Sequence, residues 1–169
     1  MKYFRNFALF VAWIASPVWA ADPPLNTLHG EGLEINVIVT EKGNELFDSW
    51  DKPTGSSFNV EPVKVASRGE FLSAIILFKG CRADGVGNCN VDMDIIAFDP
   101  TGKIYGEMPR VELWQHKPAP DPGFTQLSRG FMGIVIEPTD PPGVYRVTVV
   151  ARDNNAKTES KSVARFEVK

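Results

Sequence analysis

"FLSAIILFKGCRADGVGNCNVDMDIIAF", residues 71–98, decides the reading of the fold. Its first eight residues are apolar on both faces and rich in branched side chains, as a central strand buried from two sides requires. Its last eight alternate, with Val91, Met93, Ile95 and Ala97 on one face and Asp92 and Asp94 on the other, a period of two. Between them lies a glycine-bearing loop holding the chain's only two cysteines, Cys81 and Cys89. If the two runs pair antiparallel, the cysteines face each other at the mouth of the connection, within reach of a disulfide. A zinc site would need four ligands, and His29 and His116 are far away in sequence. A redox Cys-x-x-Cys is absent. The acids and amides Asp84, Asn88, Asn90, Asp92 and Asp94 do not follow the EF-hand order and read as solvated turn residues rather than calcium ligands. The loop therefore reads as a stapled hairpin tip. As a rigid exposed loop on a β scaffold, with Asp84 in it, it is also a candidate contact surface.

The pattern continues outward in both directions. "LEINVIVT" (33–40) places Leu33, Ile35, Val37 and Val39 on one face. "FNVEPVKVA" (58–66) reads as a strand whose Pro62 cannot donate to a ladder, which puts it at an edge or a bulge. Beyond the turn signal Asp99-Pro100-Thr101-Gly102 come "KIYGEM" and "RVELWQH", then a proline-rich loop, "KPAPDPG", and the strands "FMGIVIEP", "VYRVTVVARD" and "SVARFEVK". "KTESKS" (157–162) reads as a solvated hairpin tip, and residues 41–57 as a long irregular connection carrying Trp50. No window sustains a helical period. Eight or nine short strands at this spacing predict an all-β fold, an antiparallel β-sandwich.

The first twenty residues have another character. A basic head with Lys2 and Arg5, an apolar run from Phe7 to Ile14, and Val18 and Ala20 at minus three and minus one form the pattern of a cleaved secretory signal. Cleavage after Ala20 leaves residues 21–169 as one domain, removes Lys2 and Arg5, and moves the formal net charge from −3 to −5. An acidic chain without a basic stripe argues against nucleic acid. No later segment has the ~18 continuous apolar residues a membrane helix needs. The expectation is a soluble protein of the periplasm or the extracellular space, where a disulfide persists.

At "DPPGVYRVTVVARDNNAKTESKSVARFEV" (140–168) the chain resembles the closing hairpin of an immunoglobulin-like domain, through Gly143, Tyr145, Val147 and Val149 after a proline- and glycine-bearing corner. The resemblance implies a tyrosine whose ring packs inward while its hydroxyl bonds back to the corner, with alternate valines filling the core. It implies an architecture and no activity, because such sandwiches serve many functions. The inter-sheet disulfide and buried tryptophan of antibody domains are absent.

Residues for chemistry are scarce. Two histidines and no Gly-x-Ser-x-Gly elbow leave no basis for serine catalysis. No phosphate loop, His-Glu-x-x-His or dinucleotide fingerprint occurs, and no cofactor is implied. Met93 and Met132 fall in phase with core positions, so Met108 and His116 alone do not make a copper site. The suggestive stretch is "PRVELWQHKPAPDPG" (109–123). Alternation points Val111 and Leu113 inward and Arg110, Glu112, Trp114 and His116 outward, the composition of a binding hot spot. A bulged strand, or cover from the Trp50 segment, would instead make Trp114 ordinary core. The expectation is a non-enzymatic exported module that binds a protein of the envelope or the extracellular space through Trp114, His116, residues 117–123 and the stapled loop. A carbohydrate-binding or glycan-active protein is the alternative, favoured if Trp50 and Trp114 share one exposed face. A structural part of an envelope assembly is a third, favoured by an open edge strand.

Overall fold

The computed structural model describes residues 32–50 and 60–169; the segment read as a signal, His29 and part of the 41–57 connection lie outside the described residues. Its elements are β1 (Glu34–Thr40), α1 (Gly43–Trp50), β2 (Val65–Ala66), β3 (Phe71–Lys79), β4 (Asn88–Phe98), β5 (Ile104–Pro118), β6 (Gln126–Leu127), β7 (Met132–Val135), β8 (Gly143–Asp153) and β9 (Thr158–Val168). They form two sheets packed as a β-sandwich. In one, β3 is central, with β1 on one side and β6 and β7 on the other. The second has the order β2-β9-β8-β4-β5.

The two runs that opened the sequence reading do not pair with each other. β3 lies in the first sheet and β4 in the second, so the stapled loop crosses between sheets. β3 is nonetheless the central strand its composition predicts, and its even-numbered residues Leu72, Ala74, Ile76 and Phe78 face the core. From the other sheet come Val91, Met93, Ile95 and Ala97 of β4, and Tyr145, Val147, Val149 and Ala151 of β8. Each such side chain contributes roughly 1.5–3 kcal/mol when fully buried. The Tyr145 ring is buried and its hydroxyl donates to the Pro141 carbonyl at 3.0 Å, the bond expected at that corner.

Three local readings are corrected. Of residues 60–66 only Val65–Ala66 is strand, and it runs parallel to β9 at the sheet edge; Phe58 and Asn59 lie outside the described residues. The connection after β1 contains a helix, α1, whose Leu46 is buried and whose Phe47 and Trp50 pack with it against Ile75 and Ile38 on the outer face of the first sheet. Two turns give the helical period too few repeats to show. Gly43 is required there, because a Cβ would lie 2.3 Å from Ser73 Oγ. Finally, the β8–β9 turn is Asn154–Lys157, and most of 157–162 is strand: Ser162 is buried and accepts the Val37 N–H at 3.0 Å. That bond, with Val63 N–H donating to the Val39 carbonyl at 2.8 Å, closes the β1–β9 side of the sandwich.

Candidate functional site

The β3–β4 connection, the β5–β6 connection and the β8–β9 turn gather at one end of the sandwich. Cys81 and Cys89 are joined, with Cα atoms 6.0 Å apart and Cys89 fully buried. The staple alone does not fix this loop. Asp153, at the end of β8 and only 2% exposed, accepts the Arg82 N–H at 2.6 Å on one oxygen and the Asn155 and Ala156 N–H groups at 3.0 Å on the other. The Asn155 amide donates to the carbonyls of Arg82 and Asn88 at 2.8 and 3.0 Å, and Asn154 N–H to that of Asn90 at 2.9 Å. On the other flank, Ala119 N–H donates to the Gly87 carbonyl at 3.0 Å. The three connections are thus cross-braced into one rigid surface. Val86, 81% exposed, stands near the tip of the stapled loop, and Phe124, 64% exposed, in the β5–β6 connection. A cleft of about 690 Å³ lies beside the β3–β4 connection and the β8–β9 turn, lined in part by Cys81, Arg82, Asp153, Thr158 and Glu159.

Asp84 shapes the loop rather than awaiting a cation. Its carboxylate accepts the Asn88 and Val86 N–H groups at 2.9 and 3.0 Å, and these bonds, first that from Asn88, hold its pKa below the usual range. Among the described residues, no three His, Cys, Asp or Glu side chains are placed to hold one metal ion.

β5 departs most from its sequence pattern. Its register against β4 shifts four times, and Arg110 and His116 adopt positive φ of 55° and 53°. Each irregularity re-aims a side chain, as bulges do. Val91 pairs with Trp114 and Asp92 with Glu112, so Leu113 is the extra residue, and Leu113 and Trp114 both turn inward. Trp114 is half-buried, packs on Phe78 with ring centroids 5.4 Å apart, and donates from Nε1 to the Pro118 carbonyl at 2.9 Å. The alternation that would have exposed it is broken, and the bulged arrangement holds. His116 is exposed and lies within electrostatic reach of Asp84 and Glu112. Lys117 bonds Glu112 at 2.5 Å and lies 5.1 Å from the centroid of the Trp114 ring.

Glu112 stays with Lys117, whereas Arg110 joins Asp92 and Asp94 on the outer face of the second sheet. There Asp92, nearly buried, accepts from Asn154 at 2.9 Å, from Arg152 at 3.1 Å and from Arg110 at 3.3 Å, while Asp94 accepts the Arg110 N–H at 2.9 Å and pairs with Arg152. For Asp92, burial acts to raise the pKa, and the bonds from Asn154 and Arg152 outweigh it. The Asp94 pKa is held down to about 2, chiefly by Arg152 and then by the Arg110 amide. Sequence reading took these acids for solvated turn residues and missed Asp153, Asn154, Asn155 and Arg152 altogether. The readable signal was the Asp-Asn-Asn run at the end of a valine-rich strand, whose residue types favour local backbone bonding.

Trp50 does not join the site. It sits in α1 on the outer face of the first sheet, whereas Trp114 points between the sheets. Met93 and Met132 are buried in the core. No helix among the described residues is long and apolar enough to cross a membrane.

No family model matches the chain. No curated protein matches it either. Among solved structures, it is similar to a family 123 glycoside hydrolase from Clostridium perfringens, described for glycolipid glycan hydrolysis. The TM-score is 0.41 at 12% identity over 80% of this chain. The match covers 27% of that enzyme's chain.

Proposed function

We propose that this protein is an exported, non-enzymatic binding module that recognises another protein of the envelope or extracellular space through the braced loop end of the sandwich. The observation that carries the reading is the bracing itself: Asp153, Asn154 and Asn155 lock the β8–β9 turn to the stapled loop, Ala119 ties the β5–β6 connection to that loop through Gly87, and Val86 and Phe124 stand out in solvent on the two connections so joined. A preorganised surface loses little conformational entropy on association, and exposed apolar side chains on such a surface supply the burial that drives it. The disulfide is compatible with export, and the bond from Tyr145 to Pro141 supports taking the sandwich as immunoglobulin-like.

The two alternatives have less support. A sugar platform built from Trp50 and Trp114 would need both on one face, and they lie on different faces. Strand addition along β5 would need a regular edge, and four register shifts and Pro109 interrupt it.

The test is chemical crosslinking and affinity capture of the mature protein from its native envelope fraction, alongside Val86→Asp and Phe124→Asp. Both side chains are exposed, so the changes leave the fold intact. One protein enriched by the parent chain and lost with either variant is the expected result. Enrichment that survives both changes, or glycan alone in the eluate, overturns the proposal.

A further inference from the structure

Along one long side of the sandwich, β5 of the second sheet lies beside β7 of the first, and the seam between them is shut at both ends. At one end Gly130 approaches β5 so closely that a Cβ there would lie 2.5 Å from Val111 and 2.7 Å from the Glu112 carbonyl. At the other the Tyr105 hydroxyl donates to the Val135 carbonyl at 2.6 Å and to Asp140 at 2.7 Å. Between these closures lies a groove of about 240 Å³, bordered by residues 105–108 of β5 and by β7. The registers explain it. Gly106 is opposite Ala97 and Met108 opposite Ile95, so all four face between the sheets, and at the level of Gly106 and Ala97 neither strand carries a side chain that reaches β7. A Cβ built on Gly106 meets nothing within 4 Å. The walls are apolar: Ala97, Met132 and Ile134 belong to the core, and Met108 stands exposed at the rim.

β7 adds main-chain groups to this groove. Ile76 of β3 accepts the Ser128 N–H at 2.9 Å, so the even-numbered residues of β3 bond toward this side, and Leu72 and Ala74 pair in that way with Ile134 and Met132. Gly133 and Val135 therefore turn their main chain outward, where Tyr105 meets the Val135 carbonyl. Among the described residues, nothing meets the N–H and carbonyl of Gly133 or the N–H of Val135. Met132–Val135 carries no proline, charge or bulge, the features that block pairing at an edge, and in this it differs from β5. Donors and acceptors so spaced are matched by a second extended main chain, which would turn every other side chain into the groove. An aliphatic cavity of roughly 150 Å³ holds a benzene ring, so this groove has room for one large apolar side chain. We infer that β7 is a strand-addition site, separate from the loop end, for an extended polypeptide segment of a partner that bonds Gly133 and Val135 and buries one leucine-sized side chain over Gly106 and Ala97.

The experiment titrates the mature protein with a nine-residue peptide alternating leucine and threonine, and follows its amide resonances and hydrogen exchange. The expected result is a saturable shift at Gly133 and Val135, with exchange of both amides slowed at least about tenfold. Two altered peptides separate main chain from side chain: methylation of every peptide nitrogen, and serine in place of each leucine, should each weaken binding at least about tenfold. Gly106→Leu, whose side chain enters the groove from β5, should weaken the parent peptide to the same extent. Should that variant fail to fold, Val135→Pro makes the comparison, because the N–H it removes points away from β3. Equal binding of the N-methylated peptide would make the groove a plain apolar pocket. Protection of Gly133 and Val135 that grows with protein concentration in the absence of peptide would assign the edge to a second copy of the chain. Either result, no saturable shift, or unchanged binding in the folded variant overturns the inference.

Discussion

Asp153→Ala tests the bracing of the loop end most directly. The carboxylate accepts three backbone N–H groups, from Arg82, Asn155 and Ala156, and its residue is 2% exposed. A hydrogen bond to a charged group contributes about 1.5–3 kcal/mol, and three on one carboxylate do not add in full. Asn155 and Ala156 are half-buried and their amides can turn to water, so the expected loss is about 3 kcal/mol, some two bonds' worth. Asp153→Asn refines the test. Its oxygen can still serve Asn155 and Ala156, but its NH₂ then confronts the Arg82 N–H, leaving one donor unsatisfied at a cost of about 1–2 kcal/mol. Urea unfolding gives the two totals, and amide hydrogen exchange locates them. Arg82 should exchange faster in both variants, Asn155 and Ala156 only in the alanine variant. A loss below about 0.5 kcal/mol for Asp153→Ala, or an unchanged Arg82 exchange rate, would refute the bracing argument.

Other predictions concern separate parts of the molecule. Asp94 is held down to about 2 from an ordinary 3.8, so it contributes stability that is complete above about pH 4 and is lost as pH falls toward 2. That contribution is about 2 kcal/mol at most, and the urea midpoints of the parent and Asp94→Asn should converge near pH 2. Trp114→Ala should destabilise by about 3 kcal/mol, because the ring packs on Phe78 in the core; a loss under 1 kcal/mol would return Trp114 to the surface. Replacing Cys81 and Cys89 together by alanine should cost roughly 2.5 kcal/mol from the chain-entropy term alone. The β-sheet circular dichroism should persist, since Asp153 and Asn155 still hold the loop.

Local residue pattern alone determined the character of most elements. Alternation in β4 and β8, the two-sided apolar run of β3, and the turn chemistry at Asp99–Gly102 and around Pro141 depend on neighbours along the chain, and the all-β sandwich followed from them. The cysteine spacing marked the staple for the same reason: the geometry is local. Tertiary structure decided which strands became partners. β3 and β4 were adjacent in sequence and went to different sheets, because β3 shares its edges with β1, β6 and β7 while β4 pairs with β8 and β5. The direction of Trp114 was beyond alternation as well, since one extra residue at Leu113 reverses the phase of a strand, and only the pairing with β4 reveals it. The same holds for Asp153 reaching Arg82. That contact spans 71 residues and is not encoded in any local window.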